Sequence, residues 1–257
     1  MWSKDDIIPS MSKEQWSTRG HLPGRSPGNS DFYDVGYFAG AKRSLGIQFP
    51  EDGSYLDPNS QYQNKFKDTL RWIRERVPEG RILDVGSGPT HLTYWARKLK
   101  LPLSIISCDV SQPILSWAKE HNEATPVVSN GHQLPFTEDS FDGVLFADVL
   151  EHMWPQDAQR ATQEALRILN PGGSIFINIP NRVTWNDAAK RDQGHVWLPT
   201  VHEMKELLET TGFDPESIHH YTRGFPMTNR VRKVTNRDLK APMLGRSIFI
   251  SAQKAHS

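Results

Sequence analysis

The stretch Arg81-Ile82-Leu83-Asp84-Val85-Gly86-Ser87-Gly88-Pro89-Thr90 constrains this chain more than any other. Ile82, Leu83 and Val85 make the short apolar run of a buried strand, which breaks into two glycines where a helix should begin. Glycine has no Cβ, so Gly86 and Gly88 leave a strand-to-helix turn that a ligand can approach down to the main chain. The next apolar run, Leu103, Ile105, Ile106 and Cys108, ends on Asp109, at the distance where a carboxylate grips ribose hydroxyls. Strand, glycine turn, helix, strand and terminal acid together open a nucleoside-binding α/β fold.

Charge narrows the nucleoside. A dinucleotide site wants a third glycine at position 91, so that the pyrophosphate rests on the helix N-terminus, and His91 stands there instead. Asp84, inside the strand end, would repel a pyrophosphate, whereas it suits a ligand carrying an ammonium and a sulfonium, as S-adenosylmethionine does. Further segments follow in order: Leu134-Pro135-Phe136, Ser140-Phe141-Asp142, Asp148-Val149-Leu150-Glu151-His152, Leu169-Asn170-Pro171-Gly172-Gly173 and Ile179-Pro180-Asn181. With Asp84 to Gly88 and Asp109 they resemble the successive motifs of class I S-adenosylmethionine-dependent methyltransferases, in the small-molecule branch, over roughly residues 65 to 220.

The resemblance implies a Rossmann-like, doubly wound, seven-stranded and mostly parallel sheet with helices on both faces. It also implies S-adenosylmethionine as cofactor, surrounded by Asp84, Gly86, Ser87, Gly88, Asp109, Val110, Asn130, Gly131, His132 and Asp148. Two positions depart from the pattern. Thr90 stands where many members have a third glycine, and Asn130 where an aspartate often pairs with the adenine amino group. The carbonyl oxygen of Asn130 still accepts that hydrogen bond.

The element pattern agrees with the fold. Tyr62, Phe66, Leu70, Ile73 and Val77 share one face of a helix ending before Pro78. Strands are expected at 81–85, 103–108, 125–129, 142–147 and 174–179, with helices at 90–99, 112–121 and 156–169. Thr200 with Glu203 is a capping box for a helix stopping at Gly212, and runs near 217–221 and 247–251 supply the last two strands. Residues 61–257 therefore read as one methyltransferase domain. Residues 1–60, rich in Gly, Pro, Ser and aromatic residues, read as an N-terminal cap or lid with one helix near 33–45, or equally as a segment packed on the back of the sheet. The stretch 222–246 reads as a basic insertion before the last strand, carrying Arg223, Arg230, Arg232, Lys233, Arg237, Lys240 and Arg246. It is either a solvated face or a contact for an anionic acceptor.

Chemistry is expected in the loops beyond the carboxyl ends of the strands. Asp148, Glu151 and His152 at i, i+3 and i+4 would share one side of a helix. Asn181, Arg182 and Trp185, then His195 and Trp197, would form a polar, aromatic mouth with Trp154. Methyl transfer to a hydroxyl needs alignment and removal of one proton, so His152 and His195 are the candidate general bases and O-methylation of a small molecule the preferred reaction. No metal is assigned in that reading. An alternative comes from Asp148, Glu151, His152 and His195 together, which resemble the metal-holding cluster of small-RNA 3′-terminal methyltransferases and would suit Mn²⁺, Fe²⁺ or Zn²⁺. A second is a non-catalytic S-adenosylmethionine-binding regulatory module.

Composition limits the partners. At 257 residues the chain has room for one large α/β domain with an added cap. Lysine plus arginine and aspartate plus glutamate balance at 30 each, so no global field draws the chain to nucleic acid or an anionic membrane, and a small-molecule partner is expected. Cys108 is the single cysteine and is expected to pack as a small hydrophobe, which fits a reducing cytoplasm. The first residues lack the apolar core of a signal peptide, and no run approaches the roughly 18 apolar residues of a spanning helix.

Overall fold

The computed structural model describes Tyr33 and residues 61–122, 124–183, 194–223 and 245–256. Apart from Tyr33, the expected cap over 1–60, with its helix near 33–45, lies outside the described residues. So do Trp185 and most of the basic stretch 222–246.

Seven strands form one sheet: β1 (Gly80–Val85), β2 (Leu103–Asp109), β3 (Thr125–Val128), β4 (Phe141–Ala147), β5 (Leu169–Pro180), β6 (His219–Arg223) and β7 (Ser247–Gln253), in the order β3-β2-β1-β4-β5-β7-β6. β1 pairs in parallel with β2 and β4, and β4 with β5, whereas β7 runs antiparallel to both β5 and β6. The helices are α1 (Gln61–Arg74), α2 (His91–Lys98), α3 (Gln112–Asn122), α4 (Pro155–Ile168) and α5 (Val201–Thr211).

Strand alternation sends side chains to two separate cores. Val144, Phe146, Ile175, Ile177, Ile248 and Ile250 pack against Ala158, Ala161 and Ala165 of α4 and Met204, Leu207 and Leu208 of α5. Their sequence neighbours Leu145, Phe176 and Phe249 face the other way, onto Leu70 and Ile73 of α1 and Leu92 and Trp95 of α2. The alanine stripe of α4 lets that helix approach the sheet closely. Thr200 caps α5: its side chain accepts from Glu203 N–H while the Glu203 carboxylate accepts from Thr200 N–H, and Gly212 closes the helix at φ 111°. A further difference from expectation lies at the start of β5. The run from Leu169 to Gly173 is drawn into the strand, because Leu169 pairs with Phe141 ahead of a register shift.

The chain direction across the sheet reverses between β2 and β4, which flank β1, so the crevice beyond the carboxyl ends of β1 and β4 is where such a fold binds ligands. Among the described residues no helix is long and apolar enough to cross a membrane.

Candidate active site

The turn after β1 is shaped by two glycines in the left-handed region, Gly86 at φ 66° and Gly88 at φ 49°. A Cβ on Gly86 would collide with Val149, so this position needs both the conformation and the space that only glycine offers. Gly88 N–H donates to Asp109 Oδ2 at 2.8 Å, and Ser111 N–H donates to Oδ1 at 2.9 Å. The acid at the end of β2 is thereby oriented by the turn after β1. Ser87 N–H donates to the Cys108 carbonyl at 3.0 Å, tying the same two strand ends together.

Thr90 explains its own departure from the family pattern. It is fully buried at φ 60°, a conformation that glycine adopts at least cost, and Asn122 of α3 holds it by donating to Thr90 Oγ1 at 3.1 Å and to the Pro89 carbonyl at 2.6 Å. His91 is also buried, and stacks on Phe66 of α1 at 4.4 Å between ring centroids. The helix end that would cradle a pyrophosphate is thus packed by an aromatic pair.

Asp84 and Asp109 are both buried. Burial pushes the Asp84 carboxyl up to about 8, and the neighbouring Asp109 adds to the rise. Asp109 is also raised by burial, although hydrogen bonds from Ser111, Gly88 and Val110 N–H oppose it. Two acids held in a dry crevice favour a cationic guest. Burial also pushes the Cys108 thiol up to about 12, with Asp109 and Asp84 contributing, so it is inert packing, as its sequence context led one to expect.

A cavity of about 230 Å³ opens beyond these strand ends. Gly86, Asp109, Val110, Asn130, Gly131, His132, Asp148 and His152 line it, all of them residues singled out from the sequence. Asp84, Ser87 and Gly88 lie behind that wall, in β1 and its turn. The lining further includes Tyr33, Ser129, Val149, Met153 and Asp157. Tyr33, from the expected cap, sets its ring edge-on to His152 at 5.6 Å. Asp157 sits in the first turn of α4.

Beyond β4 the arrangement differs from the sequence expectation. Leu150–His152 is a short 3-10 turn, and Asp148 precedes it at φ 55°, exposed, with its N–H donating to the Asn178 carbonyl at 2.8 Å. The three side chains therefore do not share a helical face, because one turn of 3-10 geometry after a left-handed residue sends Glu151 inward and leaves Asp148 in solvent. Glu151 is fully buried. His195, expected at the mouth, is buried behind His152, with ring centroids 4.8 Å apart and its Nε2 at 4.0 Å from Glu151 Oε1. Val196 and Trp197 N–H both donate to the Glu151 carbonyl, at 2.8 and 3.2 Å, which fixes the loop that carries His195.

Two other expected mouth residues are structural. Trp197 belongs to the core, and Asn181 is fully buried and donates to the Gly245 carbonyl at 2.9 Å. Arg182 pairs with Glu203 of the capping box at 2.7 Å. Donor atoms of Glu151, His152 and His195 lie within 4.8 Å of one another. That spacing is compatible with a shared metal ion, but Asp148, the fourth residue expected in such a cluster, is not part of it.

Residues 83–177 match the family model described as a methyltransferase domain. A probable S-adenosylmethionine-dependent methyltransferase of Mycolicibacterium smegmatis is 35% identical over 86 residues, 33% of this chain and 33% of that protein. The malonyl-[acyl-carrier protein] O-methyltransferase of Methylococcus capsulatus is 26% identical over 214 residues, 75% of each. The crystal structure of an S-adenosylmethionine-dependent methyltransferase from Thermotoga maritima, a possible histamine N-methyltransferase, superposes with a TM-score of 0.64 at 18% identity, covering 87% of this chain and 97% of that one. Sheet order and glycine turn agree with the match of residues 83–177 to a methyltransferase domain, and the fold is that of the class I S-adenosylmethionine-dependent methyltransferase superfamily. The chain spans 33%, 40% and 53% of the length of three of its curated relatives, so it matches only part of each.

The residues present fit the cofactor of that superfamily. Gly86 lines the cavity with main chain and lets Val149 pack against it, Asp109 lines it as a buried acid that would accept from ribose hydroxyls, and Asp84 lies behind the lining as a second buried acid.

Proposed function

We propose that this chain transfers a methyl group from S-adenosylmethionine to the hydroxyl oxygen of a small-molecule acceptor, with His152 as general base. The observation that carries the reading is that one cavity is lined both by Gly86, Asp109, Val110 and Asn130 and by His152. When bound, S-adenosylmethionine supplies a methyl group already activated by a positive sulfur. What remains for the protein is to align the acceptor and to accept its proton. His152 faces the cavity and takes that role, while His195 supports it from behind. Asn130, Gly131 and His132 bound the side assigned to adenine, and Val110 and Val149 contribute its apolar wall.

Residues 1–60 act as a cap in this reading, and the position of Tyr33 against His152 supports it. The described lining carries Asp109, Asp148 and Asp157 but neither lysine nor arginine, which favours a neutral or cationic acceptor on that side. An anionic acceptor would need the basic stretch 222–246. The exposed placement of Asp148, away from Glu151, His152 and His195, weighs against the metal-dependent RNA alternative.

The test is calorimetry with S-adenosylhomocysteine, followed by transfer of label from methyl-labelled S-adenosylmethionine to panels of alcohols, phenols, amines and short RNAs. Label on a hydroxyl, lost about 100-fold or more in His152→Ala with product affinity retained, is the expected result. Label confined to amines or RNA 3′ ends refutes the acceptor assignment. Tight binding with no transfer at all points to the regulatory module.

A further inference from the structure

Methyl transfer from a sulfonium to a neutral hydroxyl relocates one positive charge. The acceptor oxygen gives its proton to an imidazole and forms a bond to the methyl carbon as the carbon–sulfur bond breaks. S-adenosylhomocysteine leaves as a neutral thioether, and the charge that sat on sulfur now sits on the imidazolium. A site that does this away from water gains from a fixed negative charge beside the base, because Coulomb interactions are strong where the dielectric constant is low.

We infer that Glu151 is a positioning residue: its buried carboxylate, flanked by His195 and His152, orients the histidine pair and stabilises the imidazolium formed when His152 takes the acceptor proton. The inference rests on the methyl-transfer reading above, and it goes beyond it in assigning a role to a residue that does not touch the cavity.

Three observations support it. Glu151 is fully buried, and the described structure offers it two imidazoles, with a donor atom of each within 4.8 Å of its carboxylate. The arrangement is built by the backbone, since the Glu151 carbonyl accepts from both Val196 and Trp197 and so sets the position of His195 relative to the turn that bears His152. The rings of Tyr33, His152 and His195 meet edge to face, at 5.6 and 4.8 Å, so one wall of the cavity is continuous with the buried acid.

Other groups face the same histidine across the cavity. Asp148 and Asp157 add negative charge, and His132 and Tyr33 are titratable neighbours. Asp148 is exposed and Asp157 pairs with Arg160 at 3.2 Å, so solvent and a counter-charge screen them. Asp109 also lines the cavity and is buried, but Gly88 and Ser111 N–H hold its carboxylate at the turn after β1; Glu151 is the buried acid against the histidine pair.

The experiment compares the wild type with Glu151→Gln and Glu151→Asp. Loss of the charge in Glu151→Gln should lower kcat roughly 10- to 100-fold near neutral pH, with acceptor KM and S-adenosylhomocysteine affinity little changed. The acid limb of log kcat against pH should move to lower pH by about one unit, since an imidazole without its carboxylate partner loses its proton more readily. Glu151→Asp, which keeps the charge but draws it back by one methylene, should fall between the wild type and Glu151→Gln in both readouts. NMR titration of the His152 ring gives a readout independent of turnover, and its midpoint should move the same way in Glu151→Gln. If the protein transfers no methyl group but the His152 midpoint still moves, the methyl-transfer reading fails and the coupling stands. A folded Glu151→Gln whose acid limb and His152 titration match the wild type overturns the inference. So does a stoichiometric divalent ion in the purified wild type that Glu151→Gln loses, because the carboxylate would then be a metal ligand. Should Glu151→Gln fail to fold, Glu151→Asp decides: normal titration and rate with a displaced carboxylate would overturn the inference.

Discussion

If Asp84 receives the cationic end of the proposed methyl donor, its burial should make donor affinity depend on pH. Its carboxyl is pushed up to about 8, by burial first and by Asp109 second. At pH 7 about nine in ten Asp84 side chains therefore hold a proton, and at pH 6 about ninety-nine in a hundred. An ammonium group entering beside this acid favours its charged form, so binding expels the proton. Linkage then gives an association constant for S-adenosylhomocysteine that rises on the order of tenfold from pH 6 to pH 7. About one proton should be released per molecule bound at pH 7, measurable by calorimetry in two buffers of different ionisation enthalpy. Asp84→Asn removes both effects, and it separates them from any contribution of His132 and His152, which line the cavity. Affinity that is flat between pH 6 and pH 7 in the wild type, with no proton release, would refute the claim that Asp84 receives the cationic end of the ligand.

The same group bears on the apo protein. A carboxyl whose folded value lies above its unfolded one stabilises the fold below the unfolded value, and that contribution is lost as pH rises toward about 8; melting temperature without ligand should fall across that window, and the ligand-induced rise should grow. Gly86→Ala must hold φ 66° and displace Val149, so a loss of about 2 kcal/mol or more in urea unfolding, together with loss of ligand binding, is expected. Thr200→Ala removes the α5 cap and should cost about 1 kcal/mol in the same assay; no change would mean that the cap is redundant. Cys108, buried with its thiol pushed up to about 12, should resist iodoacetamide at pH 8 in the folded protein and react once unfolded, whereas prompt labelling of the native state would contradict its packing.

Most of the frame can be read from residue order, because strand and helix periods differ and the glycine turn has few alternatives. β1, β2 and β4 begin and end within a residue or so of their apolar runs, and the Thr200 and Glu203 capping box is where its spacing puts it. The site is legible where it is local. Gly86 and Asn130 follow, and Asp109 ends, strands that pair into the sheet, so topology alone delivers them to one crevice. What failed was the geometry of Asp148, Glu151 and His152. Spacing of three and four suits a helix, but it carries no information about the left-handed Asp148 that starts a single 3-10 turn. His195 could be named but not placed, since its position is set by backbone bonds from Val196 and Trp197 to Glu151. Tyr33 gave no local signal, being far from the cavity in sequence. Asp157 and Met153 could have been found, because the start of the helix after β4 necessarily abuts the same crevice.

Val149 touches both halves of the chemistry. Its side chain occupies the space that a Cβ on Gly86 would need, and its carbonyl accepts from the His152 N–H at 3.0 Å. In the proposed reading, donor pocket and proton acceptor share a hinge pin. Redesigning the crevice for a bulkier sulfonium, by trimming or enlarging this valine, should move the imidazole as well, so that under the proposed roles donor scope and turnover would change together.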